Sequence, residues 1–500
     1  MTKAIKNLRD HLAEIHDLAR AASVLGWDQQ TYMPRGGAES RADQLSTLAR
    51  LTHSKFTSSK TRRLLDQAAA ETAPLPADHD DRRLVEIVRM DLDRETKLPG
   101  SFVARWSRDA SLSTEAWREA RQADSFRSYR PHLKKMVGYA LKAAEYYGYE
   151  DHPYDALLFD YEAGMKTAEV KAAFDVLRPA QVELVRKLAE RPEPRTDFLR
   201  RHYPAGAQGE FGMKIAKAFG YDTNRGRLDV APHPFATKFG RNDVRITTRY
   251  DENFLPSSLF AIMHETGHAL YEQNVSPGLD RTPLSRGCSS IFHESQSRLW
   301  ENVVGRSRHF WERHYGDLRD TFPGQLADVS ADAFYRGVNQ VKPSLIRVEA
   351  DEVTYNLHIM LRFEIELGLI EGKVEVKDLP ELWRTKMEEY LGVTPSDDKD
   401  GVMQDIHWSG GSIGYFPTYA LGNVMGAQIY ETVMSRRPET RGELARGEYT
   451  GLLGWLKENL YTHGRKFMPR DLAMKLNGKP LDPKPYLRYL TSKFGEIYGI

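Results

Sequence analysis

The chain has 500 residues, 40% of them hydrophobic and 28% charged, a composition typical of globular proteins and unlike that of disordered or fibrous ones. Its 71 basic and 70 acidic residues leave a net charge of +1, which argues against nucleic acid or an anionic membrane as a partner. The single cysteine, Cys288, cannot form an intramolecular disulfide, so we expect a reducing, cytoplasmic environment.

Helical periodicity dominates the N-terminal part of the chain. From residue 3 to about residue 149, apolar residues recur every three or four positions, which predicts amphipathic helices. The first ten residues carry too much charge for a signal peptide, and no segment reaches the roughly 18 consecutive apolar residues of a membrane helix. The best candidate boundary, Arg191–Arg195, contains two prolines and predicts a short, stiff connection.

Further along, one segment changes its period. Between Asp243 and Tyr250, apolar residues such as Val244 and Ile246 alternate with polar ones, which predicts a β-strand. Helical spacing then resumes, and Ser257 or Ser258 is expected to cap the next helix. The predicted helices cover residues 257–273, 290–304, 344–367 and 379–391. We therefore predict a mostly α fold with a small sheet.

The first of these helices contains the pattern His264-Glu-Thr-Gly-His268. Residues four apart lie on one face of a helix, so both imidazoles can reach a single metal ion while Glu265 stands beside it. This arrangement predicts a metal-activated water next to a carboxylate base.

A catalytic zinc site needs a third protein ligand, which must come from another segment. The candidate is Glu294, which follows His268 by 25 intervening residues and lies at the start of the next predicted helix. A loop of that length lets the second helix return across the first. His293 is the alternative ligand, but it lies about 100° further round the helix and we prefer Glu294.

Several further motifs resemble those of one known family, the carboxypeptidase Taq family of zinc metallocarboxypeptidases. They are Val24-Leu-Gly-Trp-Asp28 with Met33-Pro34, His233-Pro-Phe235, Asp243-x-Arg245-x-Thr247, His293-Glu-Ser295, Ile346-Arg-x-x-Ala-Asp351, and Gly401-x-x-Gln-Asp-x-His-Trp408. The resemblance extends over nearly the whole length, and no motif position departs from the pattern.

The resemblance implies a neurolysin-like, saddle-shaped helical metallopeptidase with a deep groove, a small β-sheet near the active site and, commonly, a homodimer. It implies metal ligation by His264, His268 and Glu294, with Glu265 as the general base. We expect one domain over residues 1–500, with residues 1–230 as a helical wall of the groove and residues 231–500 as the catalytic core. Zinc is the expected ion, with cobalt or manganese as substitutes.

An enzyme that trims one residue from a peptide must bind a free terminal carboxylate, and a guanidinium is its best partner. We expect Arg245 or Arg347 to serve, with His233 and His407 nearby. Arg245 shares a strand face with Asp243, and this strand could also receive the substrate by edge pairing. In the helix predicted over 344–367, Arg347 would lie one turn before Asp351, which could orient it.

Hydrogen-bond donors are also needed where charge develops on the scissile carbonyl oxygen. The loop after Gly401 offers His407, Tyr415 and Tyr419, and the sequence does not choose among them. The leading hypothesis is a cytoplasmic metallocarboxypeptidase acting on peptides. An endo-acting oligopeptidase with an open groove and a helical scaffold with structural histidines are the alternatives.

Overall fold

A computed structural model describes residues 2–500 and is mostly helical, as the sequence predicts. The α-helices of this part of the chain are α1 (Lys3–Thr31), α2 (Ala38–Phe56), α3 (Ser59–Thr72), α4 (Asp80–Glu95), α5 (Gly100–Gln122), α6 (Phe126–Tyr147), α7 (Pro153–Leu158), α8 (Thr167–Ala189), α9 (Ala205–Phe219), α10 (Leu255–Gln273), α11 (Ser290–Arg298), α12 (Arg308–Thr321), α13 (Ala331–Val338), α14 (Tyr355–Ile370), α15 (Leu379–Leu391), α16 (Pro417–Arg436), α17 (Thr440–Ala445), α18 (Thr450–Asn459), α19 (Pro469–Asn477) and α20 (Lys484–Tyr498). Within residues 2–500, none of these helices combines the length and apolar character needed to span a bilayer.

One three-stranded sheet accompanies the helices. Its strands are β1 (Leu228–Val230), β2 (Ala236–Gly240) and β3 (Asp243–Thr248), in the order β1-β3-β2. Strand β3 pairs parallel to β1 and antiparallel to β2, so the strand predicted over 243–250 is confirmed up to Thr248. Because neighbours occupy both edges of β3, the expectation that substrate pairs with its edge is wrong.

The chain forms two compact units. Unit 1 contains residues 1–96, 195–338 and 429–478, and unit 2 contains residues 97–194, 339–428 and 479–500. The sheet and helices α10 and α11 belong to unit 1, whereas α14, α15 and the loop 401–416 belong to unit 2.

Helix α10 crosses the interior of unit 1 and begins earlier than predicted. Its apolar stripe is buried and includes Ile262 and Leu270. The helix starts at Leu255, with Pro256 in its first turn, where the fixed φ of proline suits a helix. The expected cap by Ser257 or Ser258 is therefore wrong, since both serines already lie inside the helix, and the buried Ser258 hydroxyl donates to Gln208.

In unit 2, the predicted helix over 344–367 is wrong in its first part. Residues 347–349 form a single 3-10 turn, and α14 begins only at Tyr355. The Asp351 carboxylate accepts hydrogen bonds from the backbone N–H groups of Val353 and Thr354, at 2.9 and 3.0 Å, which favours a turn over a continuing helix. The helix predicted over 379–391 is confirmed by α15.

Candidate active site

Helix α10 presents the two histidines of the HExxH pattern on one face, as predicted. Their ring centroids are 5.0 Å apart. The Glu294 Oε2 atom on α11 lies 3.7 Å from His264 Nε2 and 3.4 Å from His268 Nε2. Ligand atoms of the three residues all lie within 4.8 Å of one another, so this set of two nitrogens and one oxygen fits a single metal ion.

Helices α10 and α11 pack closely at Gly267, the glycine of the HExxH segment. A Cβ at Gly267 would lie 2.4 Å from the Gln296 carbonyl oxygen and 2.6 Å from the Ser297 Cα, which shows that the two backbones nearly touch. The Ser289 hydroxyl caps α11 by accepting a hydrogen bond from the Phe292 N–H at 3.3 Å. Close approach at Gly267 therefore places Glu294 opposite the histidines.

Arg298, one turn after Glu294, holds the carboxylate of this ligand. Its Nε donates to Glu294 Oε1 at 2.8 Å, while Oε2 is the atom nearest both imidazoles. Burial alone would raise the pKa of Glu294, but Arg298 and His264 outweigh it and hold this pKa well below its usual range. Glu294 is therefore ionised, as a metal ligand must be.

A second carboxylate, Glu301, contacts the His264 ring nitrogen that faces away from Glu294. His264 Nδ1 lies 2.8 Å from Glu301 Oε2, which leaves Nε2 facing Glu294. Glu301 lies in a π-helical turn, Leu299–Val304, that continues α11, and such turns are frequent at functional sites. Sequence reasoning missed Glu301, although its position seven residues after Glu294 is a helical same-face spacing that could have indicated it.

The two histidines differ in their electrostatic surroundings. Burial lowers the pKa of His268 to about 3, so this imidazole is neutral and can donate a lone pair to a metal. Burial also opposes the charge on His264, but Glu294 and Glu301 outweigh it and raise the pKa of that ring.

Glu265 lies on α10 beside the two histidine ligands. Its side chain is buried and makes no hydrogen bond with any residue in the described range 2–500. Burial raises the pKa of this carboxyl to about 7. A carboxylate without a protein partner is available to act on a bound molecule.

His293, the alternative ligand, has another partner. Its Nε2 lies 3.0 Å from Glu272 Oε1, and its ring stacks on that of His268 with centroids 4.4 Å apart. Glu272 also forms an ion pair with the buried Lys238 at 3.1 Å. His293 therefore packs behind His268, outside the cluster of three ligand atoms.

The structure places two predicted substrate residues, His233 and Arg245, in unit 1. The Arg245 guanidinium binds both oxygens of Asp243, at 2.8 and 2.9 Å, and lies over the rings of Trp27 and Phe239 at 4.5 and 4.8 Å. His233 is exposed, with Nδ1 2.9 Å from the Pro234 oxygen. The spacing in Asp243-x-Arg245 thus corresponds to an ion pair on one strand face.

Arg347 lies in unit 2, almost fully buried, and its partner is not the one predicted. Its Nε and Nη2 donate to Asp405 Oδ1 at 3.1 and 2.9 Å, and its Nη1 donates to the Tyr355 hydroxyl at 2.8 Å. The expected pair with Asp351 is wrong, because residues 347–351 do not form a continuous α-helix. Arg362 binds the other oxygen of Asp405, with Nε at 2.7 Å.

His407, Tyr415 and Tyr419 gather around the same arginine. His407 Nε2 lies 3.2 Å from the Tyr419 hydroxyl, and its ring stacks on Tyr415 with centroids 5.5 Å apart. The Arg347 guanidinium lies 4.9 Å from the centroid of the Tyr419 ring. Four of the six predicted substrate residues thus form one cluster in unit 2.

Comparison with known proteins gives a consistent result. Residues 7–494 match the family model described as carboxypeptidase Taq (M32) metallopeptidase. The chain is 41% identical to thermostable carboxypeptidase 1 of Thermus thermophilus, over 99% of both chains, and 37% identical to carboxypeptidase 1 of Bacillus subtilis, over 99% of this chain and 98% of that one. The crystal structure of an M32 carboxypeptidase from Deinococcus radiodurans superposes over 100% of both chains with a TM-score of 0.97 and 42% identity.

Proposed function

The chain belongs to the carboxypeptidase Taq (M32) family of metallopeptidases, and from this premise we propose a zinc-dependent carboxypeptidase that releases single amino acids from the C-termini of peptides. Family membership identifies the enzyme as a metallocarboxypeptidase. The proposal adds the ion, the residues that act and the direction of attack on the peptide.

The observation that carries the proposal is the convergence of His264, His268 and Glu294. Two imidazoles and one carboxylate are a frequent ligand set of catalytic zinc and leave further coordination positions for water and substrate. When bound, zinc supplies Lewis acidity, which makes water more nucleophilic and polarises the scissile carbonyl. Cobalt or manganese is expected to substitute, since the same donors accept them.

We assign the proton transfers to Glu265. Its carboxylate lies next to the ligand set, is shielded from solvent, and has no competing hydrogen-bond partner within residues 2–500. It accepts a proton from the attacking water and delivers a proton to the nitrogen of the leaving amino acid.

For the substrate, we propose that Arg245 or Arg347 binds the terminal carboxylate, with His233 and His407 nearby. His407, Tyr415 and Tyr419 are proposed as donors to the carbonyl oxygen of the cleaved bond. Support comes from the cluster of Arg347, His407 and the two tyrosines in unit 2. Arg245 is an equal candidate, and comparison of Arg245→Ala with Arg347→Ala distinguishes the two.

Three wider expectations accompany this function. A cytoplasmic location follows from the single cysteine, and a homodimer and the division into a wall over 1–230 and a core over 231–500 follow from the family resemblance. Size-exclusion chromatography with light scattering tests the dimer.

Product analysis by mass spectrometry tests the function. Unblocked peptides of several lengths are incubated with the zinc-loaded enzyme, and we expect free C-terminal amino acids and a ladder of peptides shortened one residue at a time. Release of internal peptide fragments instead would indicate an endo-acting oligopeptidase.

Metal analysis separates the enzyme from a helical scaffold. We expect about one tightly bound metal ion per chain, loss of activity on chelation, and recovery on adding zinc, with little change in helical circular dichroism. The helical signal should persist because the core of a chain this long does not depend on one ion. A protein without tightly bound metal would contradict the proposal.

A further inference from the structure

A cavity in unit 1, separate from the metal cluster, is lined by an unusual number of arginines. Its volume is about 240 Å³, and its wall includes Arg20, Arg286, Arg465, Asp91 and His16. Much of the remaining wall is apolar. This volume far exceeds the roughly 10–15 Å³ that one water molecule needs, so the cavity has room for a polyatomic ion.

The cationic groups of this wall are only partly compensated. Arg465 is neutralised by Asp91, to which its Nη1 and Nη2 donate at 2.5 and 2.8 Å. Arg20 donates from Nη1 to the Lys238 carbonyl at 2.8 Å and from Nε to His16 Nε2 at 3.2 Å, and both of these acceptors are neutral. In the described part of the chain, Asp91 is thus the one carboxylate on the wall, while Glu272 and Asp280 beyond the wall favour the charge of Arg20 without a hydrogen bond to it.

Arg286 has no carboxylate in direct contact among the described residues, although Asp91 and Glu272 favour its charge from further away. Within residues 2–500 its guanidinium forms no hydrogen bond or ion pair, although the side chain reaches solvent. Surrounding protein and the nearby charges of Arg465 and Arg20 lower the pKa of Arg286 to about 10. They outweigh the opposing effect of Asp91 and Glu272, so the net effect of the environment is to destabilise the positive charge of this group. A negative ligand would relieve this destabilisation.

We propose that this cavity binds a small oxyanion with at least two negative charges, either inorganic phosphate or the carboxylates of a small polyacid. Planar guanidinium groups bind such oxygens through paired, charge-assisted hydrogen bonds, and Arg20 and Arg286 are the groups that lack a carboxylate partner on the wall. The apolar part of the wall is compatible with the hydrocarbon chain of a polyacid.

The site borders the loop that joins the two metal-binding helices. Arg286 lies between α10 and α11, and the next residue, Gly287, donates its N–H to Glu272 Oε1 at 3.0 Å. The same carboxylate contacts His293, which packs against His268. An anion on Arg286 therefore stabilises a loop whose position affects the metal ligands, although none of these ligands lines the cavity.

Isothermal titration calorimetry with the zinc-loaded protein tests the proposal. Phosphate and tricarballylate, a tricarboxylate that chelates metals weakly, are titrated separately at constant ionic strength. We expect saturable binding of at least one anion, and a loss of affinity of about tenfold or more in Arg286→Gln, which removes a charge-assisted donor. Comparison of the two titrations identifies whether phosphate or polycarboxylate is the better ligand.

Arg281→Gln is the matched control. Arg281 lies in the same loop but pairs with Asp17 and does not line the cavity, so its loss changes the net charge equally and should leave affinity unchanged. Arg286→Lys keeps the positive charge but loses the planar, bidentate donors of the guanidinium. This variant should bind the anion more weakly than wild type but more tightly than Arg286→Gln.

Two results would overturn the assignment. Absence of saturable binding of both anions would show that the cavity is not an anion site. Equal affinity in wild type and Arg286→Gln would place the anion elsewhere, for example on the zinc. Because Arg286 has no protein partner to lose, both variants should fold, and equal melting temperatures without anion verify this point.

Discussion

Buried charge is arranged in opposite ways in two regions of the molecule, the metal-binding region of unit 1 and the arginine cluster of unit 2. In unit 1, the metal-binding region buries three carboxylates, those of Glu265, Glu294 and Glu301. Two guanidinium groups accompany them, with Arg298 between Glu294 and Glu301 and Arg306 Nη2 3.5 Å from Glu301 Oε1. Carboxylates are in excess, so the region is suited to a cation.

In the arginine cluster of unit 2, buried positive charge exceeds buried negative charge. Arg347 and Arg362 share the single carboxylate of Asp405, whose pKa they hold well below its usual range against the effect of burial. Cations are in excess, so this region is suited to an anion such as a substrate carboxylate. Because an uncompensated buried charge is costly, we expect a cation in the first region and an anion in the second.

The largest effect is expected in the acidic region, from Glu265→Gln. The amide cannot accept a proton, so kcat should fall by about 10²–10⁴-fold while the metal content stays near one ion per chain. Peptide hydrolysis rates and elemental analysis measure the two quantities. Glu312→Gln, an exposed change on α12, is the control, and a parallel loss of metal would show that Glu265 is itself a ligand.

The basic region should respond through substrate selection. Wild type should prefer free-acid peptides over C-terminally amidated ones by roughly two orders of magnitude, because an amide lacks the negative charge that a guanidinium binds through charge-assisted hydrogen bonds. Replacement of the correct arginine, in Arg347→Ala or Arg245→Ala, should remove most of this preference. Paired kcat/KM values measure it, and Arg249→Ala, an exposed change beside β3, is the control.

If neither replacement reduces the ratio of kcat/KM between free-acid and amidated peptides, the excess positive charge in unit 2 serves a structural purpose. The comparison between the two regions would then hold for the metal region alone.

Glu301→Gln tests whether the carboxylate that contacts His264 Nδ1 contributes to metal binding. Loss of its charge should weaken metal binding by roughly 10–100-fold, because such partners orient the imidazole and increase its basicity. Competition with a chelator of known affinity measures the change. Glu294→Ala should abolish tight binding in the same assay, and unchanged affinity in Glu301→Gln would show that the contact is dispensable.

The smallest effect concerns Glu366, a buried carboxyl in unit 2 that accepts hydrogen bonds from Trp408 Nε1 at 2.7 Å and the Gly414 N–H at 3.0 Å. Burial outweighs these donors and raises the pKa of Glu366 to about 7. A carboxyl with a raised pKa contributes its full stability below the unfolded value near 4.5 and loses it as the pH rises to 7.

The advantage of wild type over Glu366→Gln should therefore shrink between pH 4.5 and 7. The change amounts to at most about 3 kcal/mol, or a few degrees in Tm for a chain of this size. Thermal unfolding across this range measures it. A difference in Tm that is independent of pH would show that Glu366 is ionised throughout.

The local parts of the site could be predicted from the sequence. His264 and His268 are four residues apart, and once the segment is helical this spacing alone places both rings on one face. The alternation around Val244 and Ile246 likewise predicts β3, since both side chains point into the core. In these cases the period of the chain determines the geometry.

Contacts between distant segments could not be predicted in this way. The pairing of Arg347 with Asp351 presupposed a helix, but Asp351 binds backbone N–H groups, and the partner of Arg347 is Asp405, 58 residues later. The sequence offered no period that links these positions. Glu301 had a suitable spacing from Glu294, but nothing local distinguished it from other helix carboxylates.

The contact at Gly267 has a consequence for engineering. Transplanting the five residues of the HExxH pattern onto another helix would supply two imidazoles and a carboxylate without the third ligand. A helix that brings that ligand must lie so close that even a methyl group at Gly267 would collide with the Gln296 carbonyl oxygen. A designer who copies this centre must therefore keep a glycine at the position of Gly267 as well as the three ligand side chains.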